Sequence, residues 1–158
     1  VQEITKKVIE LGGVNYIRID KSHAKRNANL EDVFEVGKGR VLTEGSDLTI
    51  ISAGGIVDVA LKVQETLALE GFSIKVVSLH TIKPIDSELI INCSKYTGGI
   101  VTLEEHSIIG GLGSAVSEVL MHECSFPKRF KMLGLESKFS TVVGSQEYLR
   151  KVNYKLKS

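Results

Sequence analysis

A chain of 158 residues suits one ordinary domain, or one domain with a piece of a neighbour, and is long enough to bury a substantial core. Its 20 basic and 19 acidic side chains leave a formal charge of +1, which argues against nucleic acid and anionic membrane surfaces as partners. The longest apolar runs, Leu48 to Ala53 and Ile74 to Leu79, are strand length and too short to span a bilayer.

The chain opens inside an amphipathic helix, with Ile4, Val8, Ile9 and Leu11 at near-helical spacing. No charged leader with an apolar stretch and a cleavage site precedes it, so a cytoplasmic location is expected. The absence of a starting methionine suggests a section of a longer polypeptide. Gly12-Gly13 break the helix, and Val14 to Ile19 read as a strand, with Tyr16, Ile17 and Ile19 suited to a half-buried pleated surface. Residues 20 to 39 are polar and poorly periodic, with a basic cluster at Lys21, Lys25 and Arg26, and read as a linker. The domain boundary is expected there: residues 1–39 as the tail of a preceding unit plus linker, and 40–158 as the main domain.

Beyond that point β-turn-α units repeat. Leu48 to Ser52 form an apolar strand, Gly54-Gly55 a turn, and Val57 to Leu69 a helix ended by Gly71. Ile74 to Leu79 give a second strand, Pro84 ends it, and Asp86 is placed to cap a helix through Leu89, Ile90 and Ile91. Gly99 to Leu103 are a third strand, Gly110 to Gly113 a turn, and Ser114 to His122 a third helix. Lys131 to Leu135 add a further strand, and Ser145 caps a terminal helix through Tyr148, Leu149 and Val152. Right-handed crossovers between parallel strands then predict an α/β fold, a three-layer α/β/α sandwich with a mostly parallel sheet covered on both faces.

In such sheets ligands gather beyond the carboxyl ends of the strands, where helix N-termini expose unpaired N–H groups. Three segments qualify: Ala53-Gly54-Gly55, His80 to Lys83, and Glu104-Glu105-His106 with the following Gly110-Gly111-Leu112-Gly113. Gly54 and Gly55 could admit an anion close to the backbone, but a tight turn demands glycine equally, and the turn is the favoured reading. Glu104, Glu105 and His106 could move protons; loop pinning or use at a subunit boundary is favoured over chemistry. His80 is weighed the same way, and Lys83 reads as a snorkelling side chain. The second glycine cluster is not G-x-G-x-x-G, and neither a nucleophile elbow nor a P-loop is present. Cys93 and Cys124 fall in separate predicted helices, without the close Cys/His pairs of metal or redox sites, and read as reduced core thiols.

Three stretches taken together carry a resemblance: Asp47-Leu-Thr-Ile-Ile-Ser-Ala-Gly-Gly, Val77-Ser-Leu-His-Thr-Ile-Lys-Pro-Ile-Asp86, and Val101-Thr-Leu-Glu-Glu-His-Ser-Ile-Ile-Gly-Gly-Leu-Gly-Ser114. In order and spacing they resemble the C-terminal domain of the transketolase family over roughly Val41 to Arg150, with the preceding helix and strand similar to the end of that family's pyrimidine-binding domain. The resemblance implies a complete enzyme that moves a two-carbon ketol unit between sugar phosphates on thiamine diphosphate and magnesium. It also implies that this section binds neither, because the family's G-D-G motif is absent here and the activating glutamate lies upstream. Implied partners are the remaining transketolase domains or an N-terminal subunit, in a homodimer. Arg18 falls near the family's arginine for the substrate phosphate, although its neighbours Ile17, Ile19 and Asp20 do not reproduce the family pattern. Deoxyxylulose-phosphate synthase, the β subunit of a 2-oxoacid dehydrogenase, and a non-catalytic interaction module stand as alternatives.

Overall fold

The computed structural model describes residues 2–19, 34–139, 141–146, 148 and 149. The basic cluster Lys21, Lys25 and Arg26, and Val152 of the expected terminal helix, lie outside them. Helix α1, Gln2–Leu11, forms as expected and has no buried residue. Residues 14–19 do not form the expected strand: the backbone is irregular, and Val14, Tyr16 and Ile19 are exposed. Strand propensity needs a ladder partner, and none is present among the described residues. The Asn15 side-chain amide instead donates to Gly12 O at 2.8 Å, holding the chain in the turn that follows α1.

The main domain is built on five strands: β1 (Arg40–Thr43), β2 (Leu48–Ser52), β3 (Ile74–Ser78), β4 (Ile100–Ser107) and β5 (Phe130–Leu135). Their spatial order is β1-β3-β2-β4-β5. The β2–β3, β2–β4 and β4–β5 pairs are parallel, as expected, whereas β1 is an antiparallel edge strand on β3 that the periodicity did not reveal. Four residues are too few for a pattern, and it is pairing with Val76 to Ser78 that makes them a strand. Strand β4 runs four residues past its expected end, because the ladder to β5 shifts register after Leu103 and resumes at Ser107 opposite Leu135.

Helices α2 (Val57–Leu69), α3 (Ser87–Tyr96) and α4 (Leu112–His122) cover the sheet. Period-2 alternation divides the core. Ile51, Val77, Leu79 and Ile100 pack with Ile90 and Cys93 of α3 and Leu112, Val116 and Leu120 of α4. Ile50, Ile74, Val76 and Leu103 pack with Ile56 and with Ala60 of α2. The sheet is thus apolar on both sides, which is the three-layer arrangement the alternation of elements predicts.

Helix α2 ends in a Schellman motif, with Gly71 at φ 89° and Phe72 N–H donating to Leu67 O at 3.0 Å. Helix α4 ends the same way without a glycine: Cys124 takes φ 50° and Ser125 N–H donates to Leu120 O at 2.9 Å. Cys124 therefore lies beyond the helix and is exposed, contrary to the expected core thiol, while Cys93 is buried as expected. Burial pushes the Cys93 thiol above its ordinary pKa and keeps it protonated. At the chain end Gln146, Tyr148 and Leu149 are helical, and Tyr148 N–H donates to Ser145 Oγ at 3.2 Å, the cap expected there.

Candidate functional site at the carboxyl rim

Register brings the candidate segments to one edge. Ser52, the last residue of β2, lies opposite Ser78 of β3 and Leu103 of β4, so the turns after all three strands emerge on the same rim. Arg18 is not placed there by any described contact; it is exposed in the irregular segment 14–19.

After β2 the chain turns through Gly54 at φ 74° into a single 3-10 turn, Gly54–Ile56, and then into α2. Only glycine adopts that φ without strain, and Gly55 is buried. No side chain caps either the 3-10 turn or α2.

After β3, His80 Nδ1 lies 2.9 Å from Thr81 Oγ1, and its ring stacks on Phe34 with centroids 4.4 Å apart and planes inclined by 31°. Its Nε2 is buried and meets no partner among the described residues. Burial, helped by the nearby Arg40 charge, holds the imidazole below its usual pKa, so it is neutral near pH 7. Asp86 closes this turn by accepting Leu89 N–H at 3.1 Å, the N-cap expected of α3.

Within β4, Glu104 and Glu105 face opposite sides of the sheet. Glu104 is 2% exposed, and its two carboxylate oxygens accept Leu112 N–H at 2.8 Å and Gly113 N–H at 2.9 Å. A Cβ on Gly111 would stand 1.9 Å from Glu104 Oε2, which is why glycine must lead into α4. Glu105 accepts from the Gln146 amide at 2.8 Å, tying β4 to the terminal helix. His106 is exposed. The loop beyond is braced by Ser114, whose hydroxyl accepts Gly110 N–H at 2.9 Å and donates to Ile108 O at 3.0 Å.

This geometry changes the reading of the rim. A helix N-terminus in an open α/β sheet is a ready anion site only while its N–H groups are free. Here the α4 terminus holds the chain's own Glu104 carboxylate, and the α3 terminus holds Asp86. A diphosphate at either place would meet a fixed negative charge and filled donors. Among the described residues no group of three or more His, Cys, Asp or Glu side chains could hold a metal ion. The α3 and α4 termini therefore do not fit the diphosphate of thiamine diphosphate, whereas the α2 terminus has no side-chain cap. Sequence reasoning had not assigned Glu104 as the α4 cap, because the bond spans eight residues and joins a strand to the next helix. It also missed Phe34, whose only signal would have been an aromatic residue within a polar linker.

Fold and rim define a doubly covered α/β domain in which the N-termini of α3 and α4 are closed by Asp86 and Glu104. The chain belongs to the transketolase C-terminal domain family: a family model described as "Transketolase, C-terminal domain" matches residues 37–153. It is 38% identical over 144 residues to the "6-deoxy-6-sulfo-D-fructose transketolase subunit SqwH" of Clostridium sp. (strain MSTE9), covering 91% of this chain and 44% of that protein. It is 34% identical over 140 residues to the 1-deoxy-D-xylulose-5-phosphate synthase of Desulforudis audaxviator, covering 87% of this chain and 22% of that protein. A solved "Split gene transketolase, inactive beta4 tetramer" superposes with a TM-score of 0.86 at 38% identity, over 96% of this chain and 49% of that one. The chain thus spans less than half the length of each of these relatives. No helix among the described residues is long and apolar enough to cross a membrane.

Proposed function

We propose that the chain is the C-terminal part of a transketolase whose complete form transfers a two-carbon ketol unit between sugar phosphates, using thiamine diphosphate and magnesium held elsewhere in the enzyme. The identity to a transketolase subunit along 91% of the chain carries this reading. The self-capped rim supports a structural role for the part itself, since Glu104 and Asp86 are already committed to helix ends. Gly54, Gly55, His80, Glu104, Glu105 and His106 then serve the fold and a domain or subunit boundary, in a homodimer or with an N-terminal subunit. Arg18, exposed and carrying a planar donor fork, is the candidate for the anionic end of the sugar. The sulfo-sugar in one relative's name makes a sulfonate a second anion to try at that position.

The test assays the complete enzyme for ketol transfer between sugar phosphates, and titrates the 158-residue chain calorimetrically with thiamine diphosphate and magnesium. Ketol transfer by the whole and no saturable binding by the part are expected. Micromolar binding by the part would overturn the structural role. The similarity to 1-deoxy-D-xylulose-5-phosphate synthases favours a second reading, and formation of 1-deoxy-D-xylulose 5-phosphate without ketol transfer would establish it.

A further inference from the structure

The residues that lead into the domain are fastened to it more firmly than a linker requires. Gly39 N–H donates to Asp86 Oδ2 at 2.9 Å, while Asp86 Oδ1 accepts the α3 capping bond from Leu89. Asp86 is 7% exposed, so one buried carboxylate serves both the helix and the incoming strap with charge-assisted bonds. Lys38 Nζ lies 4.0 Å from Asp86 Oδ1 and 3.5 Å from Glu88 Oε2; being half-exposed, it contributes little. The strap also lies flush against the domain. Gly37, at φ 90°, would place a Cβ 3.2 Å from Pro84 Cγ, and one on Gly39 would stand 2.5 Å from Leu89 Cδ2 and 3.0 Å from Leu79 Cδ1. Five residues upstream of Gly39, Phe34 stacks on His80.

We propose that residues 34–39 are a clasp, pinned by Asp86 and laid across the turn after β3, that fixes the direction in which the upstream chain leaves the domain and so positions whatever that chain carries. Four contacts on two sides of the turn act together: a hydrogen bond, a ring stack and two glycine close approaches. Asp86 is the pin because one buried carboxylate bonds the strap and the helix end at once. The inference rests on these contacts and not on the enzymatic reading above.

Two substitutions separate clasp from cap in the full chain. Asp86→Ser keeps a side-chain oxygen that can cap α3 but lacks the second oxygen that reaches Gly39. Gly37→Ala leaves Asp86 untouched and strains the strap at its positive φ against Pro84. In both, the Gly39 amide should exchange about tenfold faster, the scale of one lost bond to a charged group, while Leu89 and the α3 amides keep their protection. Trypsin should cleave more readily after Lys38. With Glu10→Cys added and spin labels there and at the exposed Cys124, the distance distribution should broaden when the clasp is opened. Unchanged Gly39 exchange in both variants, or an unchanged distance distribution, would overturn the proposal.

Discussion

Glu104→Ala removes a carboxylate that is 2% exposed and holds the first turn of α4 to the end of β4. The substitution leaves Leu112 N–H and Gly113 N–H without acceptors in buried surroundings. Each orphaned donor costs about 1–3 kcal/mol, which for two donors sets a loss of about 2–5 kcal/mol once partial rehydration is allowed. For a chain of this length each kcal/mol moves the melting temperature by about 2–4 °C, so a fall of roughly 4–20 °C is expected. Glu104→Gln retains one acceptor but turns an NH2 toward the other donor, and should lose an intermediate amount, about 2–3 kcal/mol. Thermal and urea unfolding of the full chain at pH 7, followed by circular dichroism, measures both. A Glu104→Ala variant within about 1 kcal/mol of the parent would refute the view that this carboxylate closes the helix end.

Three further outcomes are expected. His106→Ala in the complete enzyme should weaken assembly, read by sedimentation, while kcat stays within about tenfold; a fall beyond about a hundredfold with the assembly intact would place His106 in the chemistry. Because the folded-state pKa of His80 lies below its ordinary 6.5, the stability of neutral His80 is complete above pH 6.5 and is lost as pH falls through the folded value. His80→Gln should therefore flatten the acid side of the stability profile below pH 6.5, and an unaltered profile would count against a buried imidazole. Arg18→Ala in the complete enzyme should raise KM for phosphorylated sugars by the equivalent of about 1.5–3 kcal/mol and leave unphosphorylated acceptors little changed; equal effects on both would remove Arg18 from the phosphate.

Much of the architecture was legible because local patterning and packing agree. The runs at 48–52 and 74–78 are apolar on both faces since both faces are covered, and Gly71 and Asp86 mark helix ends by conformational and capping preferences that act within a few residues. Where the deciding contact is distant, sequence patterning had no access to it. Val14 to Ile19 have strand character, yet no described strand accepts them. The end of α4 was read correctly at His122, but the left-handed position beyond it, which a glycine usually announces, is taken by Cys124.

The sequence by itself determined the alternation of strands and helices, the two apolar faces of the sheet, and the lack of a G-D-G motif, because each is a matter of residue type and spacing along the chain. Tertiary structure decided the rest. It added the antiparallel edge strand β1, carried β4 past its bulge, and closed two of the rim's three apparent ligand sites with Glu104 and Asp86. The physical reason is the same in each case: a backbone N–H or C=O must find a partner when buried, and which group supplies it depends on what the fold brings within about 3 Å.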